Sequence, residues 1–398
     1  MASSLAWLDF DPSERERMNK ILALFREKET RDEMGIGGIR DSIADQLFPG
    51  TSTIQSHLRY MLFVPWIYDR IEKRKTPSRE ISARARALET SLVKPLLESE
   101  DYGVFGKLAG GELKRLPSSV YWAGLGSWKI RICDRSQEDY HRTMDALYRL
   151  RAKNSFKDDG EIDCNPLTVT WHPKLPQEPP DFPDKVNFQL TREEAEFLRD
   201  RLVQSHPKSL FAYLTLNSKP AAVDFPWLHP DYNSFGSDHK ELLTHARTFS
   251  EVIYGSAILY NLMLAEEPKD EEKIETLSAS FATWASELNT AAIEQWGLER
   301  FWQLTLDHGH TITFNTMRFV QFWVMLVKRD PKTVASSQDA RKLVRNREMH
   351  LKGARSRFTN KKARNQWRGA AGLLRLTYRW PTARTFLSDM YEGLARGE

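Results

Sequence analysis

The chain has 398 residues, of which 40% are hydrophobic and 28% charged, and it carries a formal net charge of +4. That composition fits a globular protein of about two domains, and excludes a disordered chain, a collagen-like fibre and a polytopic membrane protein. Two cysteines, Cys133 and Cys164, exclude a disulfide scaffold and a four-cysteine zinc site. In chain order, residues 11–29 read as a first helix, opened by Asp11-Pro12-Ser13 and carrying Met18, Ile21, Leu22 and Phe25 at helical spacing. Residues 36–47 read as a second, with Ile36, Ile39, Ile43 and Leu47 on one face. After the Pro49-Gly50 turn, Thr51 or Ser52 is expected to cap a third helix bearing Ile54, Leu58, Met61 and Leu62, ended or kinked at Pro65. A further helix fits 79–98, the glycine-richer 103–126 is irregular, and Trp128 to Ile132 is expected to be a short strand.

Residues 154–190 change character, with six prolines between Pro166 and Pro183 and acids interleaved, and they read as a linker. The expected organisation is therefore an N-terminal helical domain over 1–153, the linker over 154–190, and a C-terminal helical domain over 191–398. The second domain opens on a capping box, with Thr191 three residues before Glu194. Leu242, Ala246, Phe249 and Ile253 share one helical face, and Ile274, Leu277, Phe281, Trp284, Leu288 and Ala291 share another. The apolar run from Phe319 to Val327 is expected to be a central buried helix, because it has about half the ~18 residues needed to span a bilayer. The fold class expected is mainly α, with a few short strands. No basic segment followed by a long apolar stretch opens the chain, so the expectation is a cytoplasmic protein without a signal peptide and without membrane association.

The net charge of +4 averages two unequal parts. Residues 328–384 hold 17 Lys or Arg against three acids, Asp330, Asp339 and Glu348, for a net of +14, and the rest of the chain has a net of −10. A basic block on an otherwise acidic chain is a localised field of the kind that meets a polyanion. Within it, 337–352 reads as a helix with Ala340, Leu343 and Val344 inward and Arg341, Arg345 and Lys352 outward, and Glu348 at i,i+4 from Lys352 neutralises part of that face. Asn360 is expected to cap a short helix whose first turn holds Lys361 and Lys362, where the helix dipole disfavours cations. Residues 374–380 alternate Leu374, Leu376, Tyr378 and Trp380 with Arg375, Thr377 and Arg379, the period of a strand with a basic face, ended by Pro381. The expected phosphate contacts are Arg355, Arg357, Lys361, Lys362, Arg364, Arg368, Arg375 and Arg379, with Trp367 as a stacking residue. A helix-turn-helix layout at 36–60 is a second candidate, with Gln55, Ser56 and Arg59 exposed on its second helix. The competing readings are a solvated basic surface and an ordinary helical hairpin.

No catalytic or cofactor motif stands out, and neither a cofactor nor a metal is expected. Asp307-His308-Gly309-His310 lacks third and fourth ligands at recognisable spacing. His350-Leu351-Lys352 begins like a phospholipase D-type phosphodiesterase signature, but Arg357 stands where its aspartate belongs. Asp270-Glu271-Glu272-Lys273 reads as the start of a helix. The acids Glu27, Glu29, Asp32 and Glu33 precede Gly35-Ile36-Gly37-Gly38, which lacks the Gly-Lys-Ser/Thr ending of a phosphate loop.

Several stretches together resemble a bacterial domain-of-unknown-function family of about this length. They are Ser4-Leu5-Ala6-Trp7-Leu8-Asp9, Arg31-Asp32-Glu33, Gly35-Ile36-Gly37 through Arg40-Asp41, Leu47 through Gln55, Phe63-Val64-Pro65-Trp66, Pro117 through Trp122, and Tyr378-Arg379-Trp380-Pro381. The resemblance implies a place in phage-defence gene clusters that also encode helicases and phospholipase D-like nucleases, and brings no catalytic residues with it. The expectation is a non-catalytic nucleic-acid-binding subunit, DNA favoured, of an anti-phage defence complex with a helicase or nuclease as protein partner. The alternatives are an adaptor whose basic block docks on an acidic protein, and a cryptic metal-dependent nuclease using the acids at 27–33 or 307–310.

Overall fold

A computed structural model describes residues 32–99, 102–107, 115–154, 169–306 and 308–397. The helix expected over 11–29 lies outside them. The fold is mainly α, and among the described residues the only β pairing outside helices is a single antiparallel bridge, Arg131 to Trp171. That bridge stands where the sequence predicts a strand at 128–132. No described helix is long and apolar enough to cross a membrane.

The described residues form two compact units, neither continuous in sequence: those of 32–43 with 235–378, and those of 44–234 with 379–397. The linear division at 154–190 does not coincide with them. The described part of that stretch packs inside the second unit: Trp171, Phe182 and Phe188 are buried, and Trp66 donates its indole N–H to the Pro176 carbonyl at 2.7 Å. Proline density identifies a segment without regular hydrogen bonding, and such a segment still packs when it carries large apolar side chains.

The first unit holds most of α1 (Gly37–Leu47), then α9 (Ser237–Glu266), α10 (Glu271–Glu287), α11 (Thr290–Gln295), α12 (Leu298–Leu306), α13 (Phe314–Arg329), α14 (Gln338–Lys352) and α15 (Lys361–Asn365). Its axis is α9, on which Leu242, Ala246, Phe249 and Ile253 are buried as their spacing predicts. The Trp284 indole of α10 lies against Gly255, where a Cβ would fall 2.2 Å from the ring, and its N–H donates to the Glu251 carbonyl at 2.8 Å. On the next side Trp323 of α13 donates to the Val252 carbonyl at 2.8 Å. Two ring N–H groups thus find acceptors on the same buried helix, which removes the desolvation cost of burying them. α10 ends at Glu287, so Leu288 and Ala291 fall outside it. Phe319, Val320, Trp323, Val324 and Val327 of α13 are buried, but the helix is not buried all round: Phe314, Phe322 and Met325 are 70%, 44% and 55% exposed.

The second unit contains α2 (Tyr60–Lys73), α3 (Ser78–Ser91), α4 (Val93–Ser99), α5 (Pro117–Ser127), α6 (Gln137–Asn154), α7 (Arg192–Ser205), α8 (Leu210–Asn217) and α16 (Trp380–Ala395). α2 runs through Pro65 with every residue from Tyr60 to Tyr68 buried. The proline costs one backbone hydrogen bond, and burial of Phe63, Trp66 and their neighbours outweighs it. The capping box at α7 forms as predicted, with Thr191 and Glu194 each accepting from the other's backbone N–H. The strand expected at 374–380 does not form. Tyr378 and Arg379 adopt left-handed backbone conformations at φ 51° and 66°, and Trp380 and Pro381 begin α16, where a proline in the first turn lacks only an N–H that would have no intrahelical partner.

Candidate nucleic-acid interface

The basic block folds as α14, a short 3₁₀ turn at Gly353–Arg355, and α15. Asn360 caps α15, and Ala340 and Val344 turn inward, as the sequence predicts; Leu343, expected inward with them, is half-buried, and Ser337 caps α14. What the sequence does not show is how much of the positive charge is paired with acids of the same chain. α9 ends on Glu266, with Glu267 as its C-cap, and both carboxylates lie at the negative end of the helix dipole. Arg341 meets Glu266 through two bonds at 2.6 and 2.8 Å. Arg345 and Arg364 both bind Glu267, at 2.9 and 2.8 Å. Arg375 lies 3.3 Å from Glu287.

A second group of ionic side chains is buried. Glu33 and Glu348 are 4% and 0% exposed. Lys352 bonds Glu33 and lies 3.2 Å from Glu348. Arg357 bonds Glu33 at 3.0 Å and the Tyr260 hydroxyl at 3.1 Å. Ser356 donates its hydroxyl to Glu348, and the Arg357 backbone N–H donates to the same carboxylate at 2.9 Å. Burial, with the Glu33 carboxylate adding to it, keeps the Tyr260 phenol protonated far above its usual range. Two carboxylates, one ammonium and one guanidinium balance in charge, and each is satisfied by its neighbours. Chemically this group is a clamp: through Ser356 and Arg357 it holds the turn next to Arg355 on α9 and α14.

The nominated residues therefore separate. Arg355, Lys361, Lys362 and Arg368 are exposed, with no acidic partner among the described residues. Arg357, Arg364 and Arg375 are held by Glu33, Glu267 and Glu287. Arg379, in the other unit, is held by Asp45 and by the Thr51 carbonyl, the latter at 2.8 Å. Trp367 is half-buried against Leu262, Ala265 and Leu277 and donates its ring N–H to Asn261 at 2.8 Å, an anchor and not an open stacking face.

The helix-turn-helix layout is absent, because residues 48–59 separate α1 from α2 and the second helix starts only at Tyr60. Gln55 and Arg59 are each 6% exposed. Gln55 accepts from the Ser52 N–H at 2.9 Å, and Arg59 binds Glu194 at 2.7 Å and the Asn187 carbonyl at 3.0 Å. Neither side chain reaches a base edge or a phosphate. Ser56 is engaged by Tyr121 and by the Gly103 carbonyl.

The acid-rich motifs have local roles. Asp32 accepts from the N–H groups of Ile36 and Gly37 at 2.7 and 2.5 Å, closing the entry to α1. Asp270 is the N-cap of α10. Among the described residues no three His, Cys, Asp or Glu side chains gather as a metal site, and Glu27, Glu29 and Asp307 lie outside those residues.

A family model for a family of unknown function matches residues 2–393, nearly the whole chain. The chain belongs to the DUF6361 family. No curated protein and no solved structure matches it. In this DUF6361 chain the stretch from Met349 to Ser388 contains no aspartate or glutamate, so the exposed cations within it have no acid beside them in sequence. Sequence reading missed one further set of residues, the outward face of α13. The signal was there in the spacing of Phe314, Arg318, Phe322 and Met325, four and three residues apart, a second apolar stripe beside the buried one.

Proposed function

We propose that this protein binds nucleic acid, with DNA favoured, through Arg355, Lys361, Lys362 and Arg368 of its first unit, as a non-catalytic subunit of an anti-phage defence complex. The observation that carries the binding site is the exposure of these four cations in an acid-free stretch, while the neighbouring arginines are neutralised by glutamates. The phage-defence setting, and a helicase or nuclease as protein partner, rest on the family resemblance alone. Each phosphate neutralised releases a counterion, so the logarithm of affinity falls with that of salt by about 0.9 per contact on duplex and about 0.7 on a single strand.

The test is a titration of labelled DNA and RNA with the purified full chain at rising salt, read by fluorescence anisotropy. Binding is expected to weaken steeply with salt and to be lost in Lys361→Glu/Lys362→Glu/Arg368→Glu, with an unchanged melting temperature. Equal binding by that variant sinks the site. A wild-type protein that binds neither nucleic acid, yet retains an acidic protein after nuclease treatment, is the adaptor of the alternative reading.

A further inference from the structure

α13 presents a face that the described residues of its own unit leave uncovered. Phe314, Arg318, Phe322, Met325 and Arg329 recur at intervals of four, four, three and four, which places them within a quarter-turn of one another around the helix. The two rings are 70% and 44% exposed and Met325 is 55% exposed. The Arg318 guanidinium lies 5.8 Å from the centroid of each ring. Large exposed aromatics in a row are unusual on a surface that meets only water. The helix carries Arg318, Lys328 and Arg329 and no acid at all. At its N-terminal end Asn315 approaches His350 of α14 to 3.4 Å, and α14 leads directly into the turn that bears Arg355.

We infer that this face is a stacking platform for unpaired bases, which makes the ligand of the first unit a single-stranded nucleic acid. The inference rests on the nucleic-acid reading above and narrows it. The rings stand about 12 Å apart along the helix axis, with a planar cation between them. That alternation suits a single strand, whose bases turn outward onto flat apolar faces while its phosphates meet arginine. A duplex keeps its bases stacked on each other and offers these rings nothing. The aromatic faces favour this occupant over an acidic protein helix, because Arg318 lies between two exposed rings that offer bases a stacking surface, whereas carboxylates would meet the cations and leave the rings unused.

The experiment uses the full chain with three fluorescein-labelled probes: oligo-dT, oligo-U and a hairpin duplex. The wild type is expected to bind a single strand more tightly than the duplex, and comparison of oligo-dT with oligo-U shows which sugar it takes. Phe314→Ala/Phe322→Ala is expected to lose about tenfold or more on the single strand and little on the duplex, whereas Phe314→Trp/Phe322→Trp retains binding and shows tryptophan quenching when strand is added. If the alanine pair binds the single strand as the wild type does, while Lys361→Glu/Lys362→Glu/Arg368→Glu does not, the platform is overturned and the binding reading stands. If the wild type prefers the duplex, the platform is likewise overturned. If it binds no probe, both fall. Self-association in sedimentation that the alanine pair abolishes, without strand binding, gives the face to a second copy of the chain and overturns the inference.

Discussion

The backbone N–H of Arg357 donates to the Glu348 carboxylate at 2.9 Å, while the Arg357 side chain reaches away to Glu33 at 3.0 Å. One residue of the basic block is thus held twice by acids, and the turn that carries Arg355 is held with it. Glu348 is fully buried and also takes the Ser356 hydroxyl and the Lys352 ammonium.

Replacing Glu348 with alanine strands those donors. Removing one partner of a buried pair is strongly destabilising, here by about 3 kcal/mol. The expected outcome is a lower denaturation midpoint for Glu348→Ala by urea titration. Glu348→Gln keeps an acceptor and is expected to fall between that variant and the wild type. A midpoint equal to the wild type in Glu348→Ala would show that the clamp contributes nothing.

The buried pair of Arg59 and Glu194, both under 10% exposed, gives a second prediction. Arg59→Met leaves Glu194 buried without its cation, at a cost of about 3 kcal/mol. Adding Glu194→Gln removes the stranded charge yet retains an acceptor for the Thr191 N–H, so the double variant is expected to be more stable than Arg59→Met alone. Double-mutant-cycle midpoints measure the coupling. Strand binding is expected to stay unchanged in both variants, since neither side chain meets solvent; a loss of binding at undiminished stability would put the interface back in the second unit.

Glu89 supplies a pH dependence. Its carboxyl is 2% exposed, and burial raises its pKa from the ordinary 4.5 to about 7, against the opposing hydrogen bonds from the Ser118 N–H and hydroxyl. The folded state therefore holds this proton where the unfolded chain has lost it. Stability from this group is full below pH of about 4.5, falls as pH rises toward about 7, and is flat above, a loss of about 3 kcal/mol in all. Denaturation midpoints of the wild type at pH 5 and pH 8, compared with those of Glu89→Gln, isolate the effect. The variant is expected to lack this share of the pH slope, and an identical slope in both would refute the assignment.

Local patterns were legible because they depend on residues a few positions apart. The capping box of Thr191 and Glu194, the cap Asn360, and the buried stripe on α9 depend on periodicity and on backbone N–H groups within one turn. The misreadings share a cause as well. The alternation at 374–380 looks like a strand, but no described segment pairs with it, and left-handed Tyr378 and Arg379 turn the chain into α16. Gln55 and Arg59 look like surface residues by type and are buried because Val120, Asn187 and Glu194 arrive from elsewhere to satisfy them.

By itself the sequence determined the helical class, the family membership, and the presence of a +14 block on an otherwise acidic chain. Only the tertiary structure decided which of those charges faces outward. A charge count adds along the chain, but a field depends on distance in space. Glu33 meets Lys352 across 319 positions, and Glu267 meets Arg364 across 97. No local pattern encodes such pairings, and in the folded chain Arg357, Arg364 and Arg375 are held by acids while Arg355, Lys361, Lys362 and Arg368 are exposed.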